Sequence, residues 1–190
     1  MAFRRGFKKE ANEIAAETRA ELDLSPYDQL DPRILAGWLE IPVIGLSALV
    51  PEAPAVTHLL TDELEVFSAV TVFASTERTI VHNDGHSHTR QVSNLAHELA
   101  HALLLHPPTP ALDNNGCRHW NQDIEDEASW LAGCLLVPEA AAMAIAKGRW
   151  TLPAAARNFG VSVAMIRYRL NATGAVRRVA RAARAARASA

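Results

Sequence analysis

Along most of this chain apolar side chains recur every three to four residues, the period of a helix with one buried face; a strand-like pattern is strong in one region only. Residues 8–22 place Ile14, Ala15, Thr18 and Leu22 at helical spacing with Glu or Lys between them, and Ser25-Pro26 closes that helix. Asp31-Pro32 reads as an N-cap followed by proline at the first helical position, opening a short helix to about Glu40. Ile41–Leu46 reads as extended, and Pro51 and Pro54 mark a loop. Val66–Ala74 and Arg78–His82, rich in Val, Phe, Thr and Ile and linked by Ser75–Glu77, predict an antiparallel hairpin.

The second half carries the longest helical patterns. Arg90–His106 is stopped by Pro107-Pro108 and followed by a loop over Pro107–Gly116. At about 100° per residue, Val92, Leu95, Ala96, Leu99 and Leu103 share one stripe, while His97 and His101 lie about 140° and 180° from Val92, on the other face. Another long helix is predicted over Gln122–Val137. Pro138 then restarts the chain as Ala-rich helices with breaks near Gly148, Gly160 and Gly174. These elements make an α+β protein, mostly helical, with a small antiparallel sheet and no internal repeat.

With 190 residues and 49% apolar composition, the chain can bury a core of ordinary domain size. Its longest apolar run, Ile41–Val50, contains Pro42 and is half the ~20 residues a membrane span needs, so no span is expected. Met1–Glu10 leads into Asn12 and Glu13 instead of an apolar segment, which argues against a secretory signal, and Cys117 and Cys134 are too few for a disulfide framework. A cytoplasmic location is the expectation. The net charge of −2 hides a split: from Ala140 onward there are ten basic residues and no acidic one, leaving nine basic against 21 acidic in residues 1–139.

Chemistry concentrates on the face of the long helix opposite its apolar stripe. His97-Glu98-Leu99-Ala100-His101 is an H-E-x-x-H motif, of which a chain with 8 His and 13 Glu would contain about 0.02 by chance. Residues four apart on a helix bring both imidazoles to one metal ion, with Glu98 beside them to take a proton from an activated water. Histidines serving only as core residues would lie in the stripe, and these do not. A catalytic zinc takes three protein ligands, and Asp123, Glu125, Asp126 and Glu127 open the next helix, where acidic residues also suit the helix dipole. Glu125 and Glu127 are about 200° apart, each with apolar neighbours, so periodicity leaves both open as the third ligand.

Two segments in order, Leu95-Ala96-His97-Glu98-Leu99-Ala100-His101-Ala102-Leu103-Leu104-Leu105-His106 and Glu125-Asp126-Glu127-Ala128-Ser129-Trp130-Leu131-Ala132-Gly133-Cys134-Leu135-Leu136-Val137-Pro138, resemble the ImmA/IrrE metallo-endopeptidases. The resemblance extends upstream to Thr79–Asn83 and downstream to Phe159–Leu170, covering roughly residues 30–172. It implies a zincin-like fold, one Zn²⁺ held by His97, His101 and Glu125 as in gluzincins similar to thermolysin, and Glu98 as general base and proton shuttle. The family's Asn or Asp four residues after the ligand Glu is Ser129 here, a shorter and neutral side chain beside a metal-binding His. Leu131 and Val137 replace the family's Phe and Met. The resemblance further implies a regulatory protease that cleaves a transcriptional repressor, often a helix-turn-helix protein.

His119, Arg118 and Tyr168 are nominees for stabilising an oxyanion, and each also reads as an ordinary surface or packing residue. The edge of the Arg78–His82 strand is a place where an extended substrate could add. His82, His86 and His88 around Asn83-Asp84-Gly85 raise a second metal site, against which a polar hairpin-to-helix loop explains them equally.

The basic end supports a rival reading. Pro153–Leu170 has a helix-turn-helix pattern, with Arg167, Tyr168 and Arg169 on its second helix, and Arg177, Arg178, Arg181, Arg184 and Arg187 continue along one helical side. A DNA-binding regulator with a structural or vestigial metal site would use Arg167, Arg169, Arg177 and Arg178 on nucleic acid; the same helices could instead pack on the catalytic body. The reading adopted is a zinc-dependent endopeptidase with residues 1–139 as the metallopeptidase domain, 140–174 as a helical part packed on it, and 175–190 as a basic Ala/Arg tail. Its expected partners are a protein substrate and, weakly, nucleic acid at the C-terminus, with no membrane.

Overall fold

The computed structural model describes residues 3–75, 77–107 and 121–188. In chain order it contains α1 (Phe7–Glu21), α2 (Pro32–Trp38), β1 (Val43–Gly45), α3 (Thr57–Thr61), β2 (Ala69–Ala74), β3 (Glu77–His82), α4 (His88–Leu103), α5 (Gln122–Leu136), α6 (Glu139–Ala146), α7 (Leu152–Phe159), α8 (Val163–Thr173) and α9 (Ala175–Ala188). The protein is α+β, mostly helical. Among the described residues no single helix is long and apolar enough to cross a membrane.

Local signals in the sequence become caps and breaks. Asp31 caps α2 by accepting from Arg33 N at 2.8 Å, with Pro32 at the first helical position. Gly148, Gly160 and Gly174 all adopt left-handed φ values of 88°, 64° and 62°, and the last two cap α7 and α8. Ser162 caps α8 by accepting from Met165 N at 3.1 Å. α7 and α8 are thus two helices joined by a short turn at Gly160–Ser162.

The sheet departs from a bare hairpin. β2 and β3 pair antiparallel, and β1 joins β3 in parallel with Val43 opposite Ile80 and Gly45 opposite His82. The strand order is β1-β3-β2. The Arg78–His82 strand is thus central and has no open edge; the long edge strand is β2. Parallel pairing of segments so far apart in sequence needs a long connection, here the chain from Leu46 through α3 and β2, and short-range alternation does not reveal it.

α4 packs its apolar face against α5, α2 and the sheet, and Val92, Leu95, Ala96 and Leu99 of the expected stripe are buried. α5 is the central helix, in contact with α1, α4 and α8, and its stretch from Trp130 to Leu136 is entirely buried. Such burial creates a problem at its C-terminus, where the last carbonyls have no partner within the helix. Two buried arginines answer it: Arg19 of α1 donates to Leu135 O at 2.6 Å, and Arg169 of α8 donates to Val137 O at 2.9 Å. A cation there also complements the negative end of the helix dipole. Arg19 donates in addition to the carbonyls of Ser25 and Asp28, tying the turn after α1 to the same point.

Arg19→Met should therefore remove the guanidinium donor from three carbonyls, of which Ser25 O keeps the Asp28 N–H, and lower stability by at least about 2 kcal/mol. A urea unfolding curve with a reduced midpoint and unchanged slope is the expected result.

Candidate metal centre

Because the apolar face of α4 is fixed against the core, His97 and His101 emerge on its far side, half-buried, toward the first turns of α5. α5 starts where Asn121 Oδ1 accepts from Asp123 N at 3.1 Å and Ile124 N at 3.5 Å. Glu125 and Ser129, one turn apart, then share the face turned to α4. His97 Nε2 lies 3.1 Å from Glu125 Oε2 and 3.1 Å from His101 Nε2, and the third edge, His101 Nε2 to Glu125 Oε2, is 3.7 Å.

Three lone-pair donors converging on one point repel unless a proton or a cation lies among them. The imidazoles of His101 and His97 beside it hold the Glu125 carboxyl far below the usual carboxylate range, so this corner is an anion. Ligands 2.0–2.1 Å from a tetrahedral zinc are about 3.4 Å apart, and the three edges bracket that value. The donor set of two imidazole nitrogens and one carboxylate oxygen thus fits a divalent cation. Among the described residues these three form the only group of His, Cys, Asp or Glu close enough to share an ion.

Other side chains hold the triangle from outside. Ser129 Oγ is 3.3 Å from His97 Nδ1, so the short side chain at this place does reach the imidazole. Glu98 points to the sheet, where its Oε2 accepts from Thr71 Oγ1 of β2 at 2.6 Å. Glu127, the other carboxylate that periodicity left open, faces elsewhere: its Oε2 is 3.6 Å from His106 Nε2, and its Oε1 is 3.1 Å from Arg4 Nε. His106 in turn places Nδ1 2.9 Å from His101 Nδ1. Burial and the nearby His101 keep the His106 imidazole below its ordinary pKa. Thr71, His106 and Arg4 carry no motif signal. Thr71 is one threonine in an apolar strand, and His106 stands five residues from His101, off the helical repeat.

The remaining candidates lie elsewhere. The Tyr168 ring packs over Gly133, eight residues and about 12 Å along α5 from Glu125. Burial raises its hydroxyl pKa, and the charges acting on it are Arg169, Cys134 and Asp126, none of them in the triangle. His119 and Arg118 lie outside the described residues. His82 Nε2 accepts from Arg33, His86 Nε2 donates to Leu64 O at 2.6 Å, and His88 opens α4. Asp84 accepts from Ser47 N at 3.0 Å, and Gln91 Nε2 donates to the carbonyls of Asp84 and His86, so the segment is a hydrogen-bonded turn and not an ion-binding cluster.

At the basic end Arg167, Arg177 and Arg178 are exposed, and Arg178 pairs with Glu139. Arg169 is a correction to the sequence reading: fully buried and committed to Val137 O, it is out of reach of nucleic acid.

A protein-family model described as the IrrE N-terminal-like domain, peptidase family M78, matches residues 57–171, which run from the start of α3 into the last turn of α8. Searches of curated proteins and of solved structures find no significant match.

If the triangle binds a divalent cation in the folded state only, saturation at a thousand times Kd should stabilise the protein by about 4 kcal/mol, roughly 10 °C in Tm for a domain of this size. A thermal scan with Zn²⁺ and with excess chelator measures it, and the His97→Ala/His101→Ala double variant should show no shift.

Proposed function

The chain belongs to the peptidase family of IrrE N-terminal-like domains, and from that membership we propose that it is a zinc-dependent endopeptidase whose metal ligands are His97, His101 and Glu125. The observation that carries this reading is the triangle of 3.1, 3.1 and 3.7 Å on the H-E-x-x-H helix. When bound there, a zinc ion supplies Lewis acidity that polarises a peptide carbonyl and lowers the pKa of water.

The residues of the chain do the rest. Glu98 follows His97 on α4 and has one oxygen, Oε2, held by Thr71, leaving Oε1 to receive the proton of the attacking water. The same carboxyl then gives that proton to the leaving amine, so the products are a carboxylic acid and an amine with no other reactant consumed. Thr71 lies on the edge strand β2, which leaves an extended peptide a sheet edge next to Glu98. The substrate class we propose is a transcriptional repressor of helix-turn-helix type; its support is the likeness of residues 95–106 and 125–138 to repressor-cleaving ImmA/IrrE proteins.

Zinc-loaded wild type and Glu98→Gln, assayed on a fluorogenic peptide library and on helix-turn-helix repressor proteins, provide the test. The variant should bind Zn²⁺ as wild type does and lose about 10²–10⁴-fold in turnover. Equal cleavage by both, or none by loaded wild type, overturns the proposal.

A second reading, nucleic-acid contact by the basic end, has one observation behind it: Arg177, Arg181, Arg184 and Arg187 stand exposed on α9, which contains no acidic residue. Duplex DNA binding that weakens steeply with salt and disappears on deletion of 175–190 is the expected gel-shift result; absence of binding at low salt rejects it.

A further inference from the structure

α4 does not end the way a helix of leucines would end by default. After Leu103 and the cap residue Leu104, Leu105 adopts φ 53°, a left-handed conformation that a residue bearing Cβ rarely takes, and the residue is 79% exposed, so packing does not repay the strain. The consequence falls on the next residue. His106 turns back over the helix, its N donates to His101 O at 3.0 Å, and its ring meets that of His101 edge-on with centroids 5.0 Å apart. Its side chain is only 10% exposed, enclosed between His101 and Glu127.

We propose that His106 is a positioning residue for His101: it accepts the proton on His101 Nδ1, which turns the Nε2 lone pair of His101 into the metal triangle, and Glu127 holds His106 in the tautomer that does so. The inference rests on the metallopeptidase reading above. With both imidazoles neutral, the two Nδ1 atoms 2.9 Å apart share one proton, and two arrangements are then available. In one, His101 carries the proton, His106 accepts it, and His106 must then bear its own proton on Nε2, aimed at the Glu127 carboxylate 3.6 Å away. In the other, His106 Nδ1 donates, the Nε2 lone pair of His106 faces that carboxylate, and His101 points an Nε2–H at the place where the ion would sit.

Glu127 disfavours the second arrangement by lone-pair repulsion and favours the first by charge. Arg4 fixes Glu127 in turn, with its guanidinium shared between Glu127 and Glu10. An imidazole ligand whose second nitrogen donates to a carboxylate is the common way proteins set the tautomer of a metal site; here a second imidazole stands between ligand and carboxylate. Among the described residues His97 has the Ser129 hydroxyl at 3.3 Å in the corresponding place, a neutral and longer contact than the one His106 makes to His101.

Zn²⁺ affinity of the full chain, measured by competition with a chromophoric chelator, tests this without reference to turnover. His106→Leu keeps volume and removes the acceptor, and should weaken binding about 10–100-fold; His106→Asn, whose Oδ1 can stand where Nδ1 was, should stay within about threefold of wild type. Glu127→Leu should weaken binding by about tenfold and keeps the question open to refutation if circular dichroism shows His106→Leu unfolded. Wild-type affinity in His106→Leu, an Asn variant as weak as the Leu variant, or unchanged affinity in Glu127→Leu overturns the proposal. A wild type that takes up no Zn²⁺ overturns the metal-centre reading itself, and this one with it.

Discussion

The site depends on one helix keeping two unlike faces in register. Val92, Leu95, Ala96 and Leu99 of α4 are buried, and burying a leucine side chain is worth about 1.5–3 kcal/mol, so the rotation of α4 about its axis is fixed by far more energy than a few polar contacts supply. With that rotation set, His97 and His101 have one direction in which to point. The polar face can therefore hold two imidazole nitrogens and a carboxylate oxygen within 3.7 Å of one another, an arrangement that a helix free to roll by 20° or 30° would lose. The packing that stabilises the core is thus the packing that aims the site.

α5 has the complementary task of holding a carboxylate against those imidazoles. Its N-terminus is set by Asn121, and its C-terminus is clasped from two sides by Arg19 and Arg169, cations taken wholly out of water to serve carbonyls and not carboxylates. A buried guanidinium is expensive, and burial pulls the pKa of Arg19 down. It is tolerated because the alternative is a row of buried carbonyls at a helix end with no donor at all. The clamp keeps α5 from sliding along its axis, and a slide of one residue, about 1.5 Å, would take Glu125 out of the triangle.

How far the sequence disclosed all this follows the range of each interaction. The H-E-x-x-H pair, the Asp31 cap and the breaks at Gly148, Gly160 and Gly174 are local, and each was legible because the residue type is nearly forced by backbone geometry or ligand spacing. Periodicity did not choose between Glu125 and Glu127, since two carboxylates 200° apart on one helix differ only in what the rest of the fold brings to them, and the expectation of Glu125 came from the family resemblance alone. The parallel pairing of β1 with β3, the Thr71–Glu98 bond and the return of His106 through a left-handed Leu105 are products of tertiary contact, with no periodicity to announce them. Residues 108–120, which include His119 and Arg118, lie outside the described structure.

The uneven charge of the chain also takes a more definite form. Of the ten basic residues after Ala140, Arg169 is spent inside the core and Arg178 is paired with Glu139, so the count overstates the positive surface at that end. Arg177, Arg181 and Arg184 lie within about 60° of one another around α9 and are exposed, which shows that the basic helix is not laid face-down on the acidic body as charge attraction alone would dictate. Apart from the Arg178–Glu139 pair, no ion pair among the described residues joins α9 to the acidic residues of 1–139. A net negative body around a triangle built on Glu125, with Glu98 and Glu127 close by in sequence, raises the local concentration of cations and lowers that of anions. The charge of the chain is therefore divided in space as well as in sequence, with the acidic excess in residues 1–139, which hold the triangle, and exposed arginines along α9.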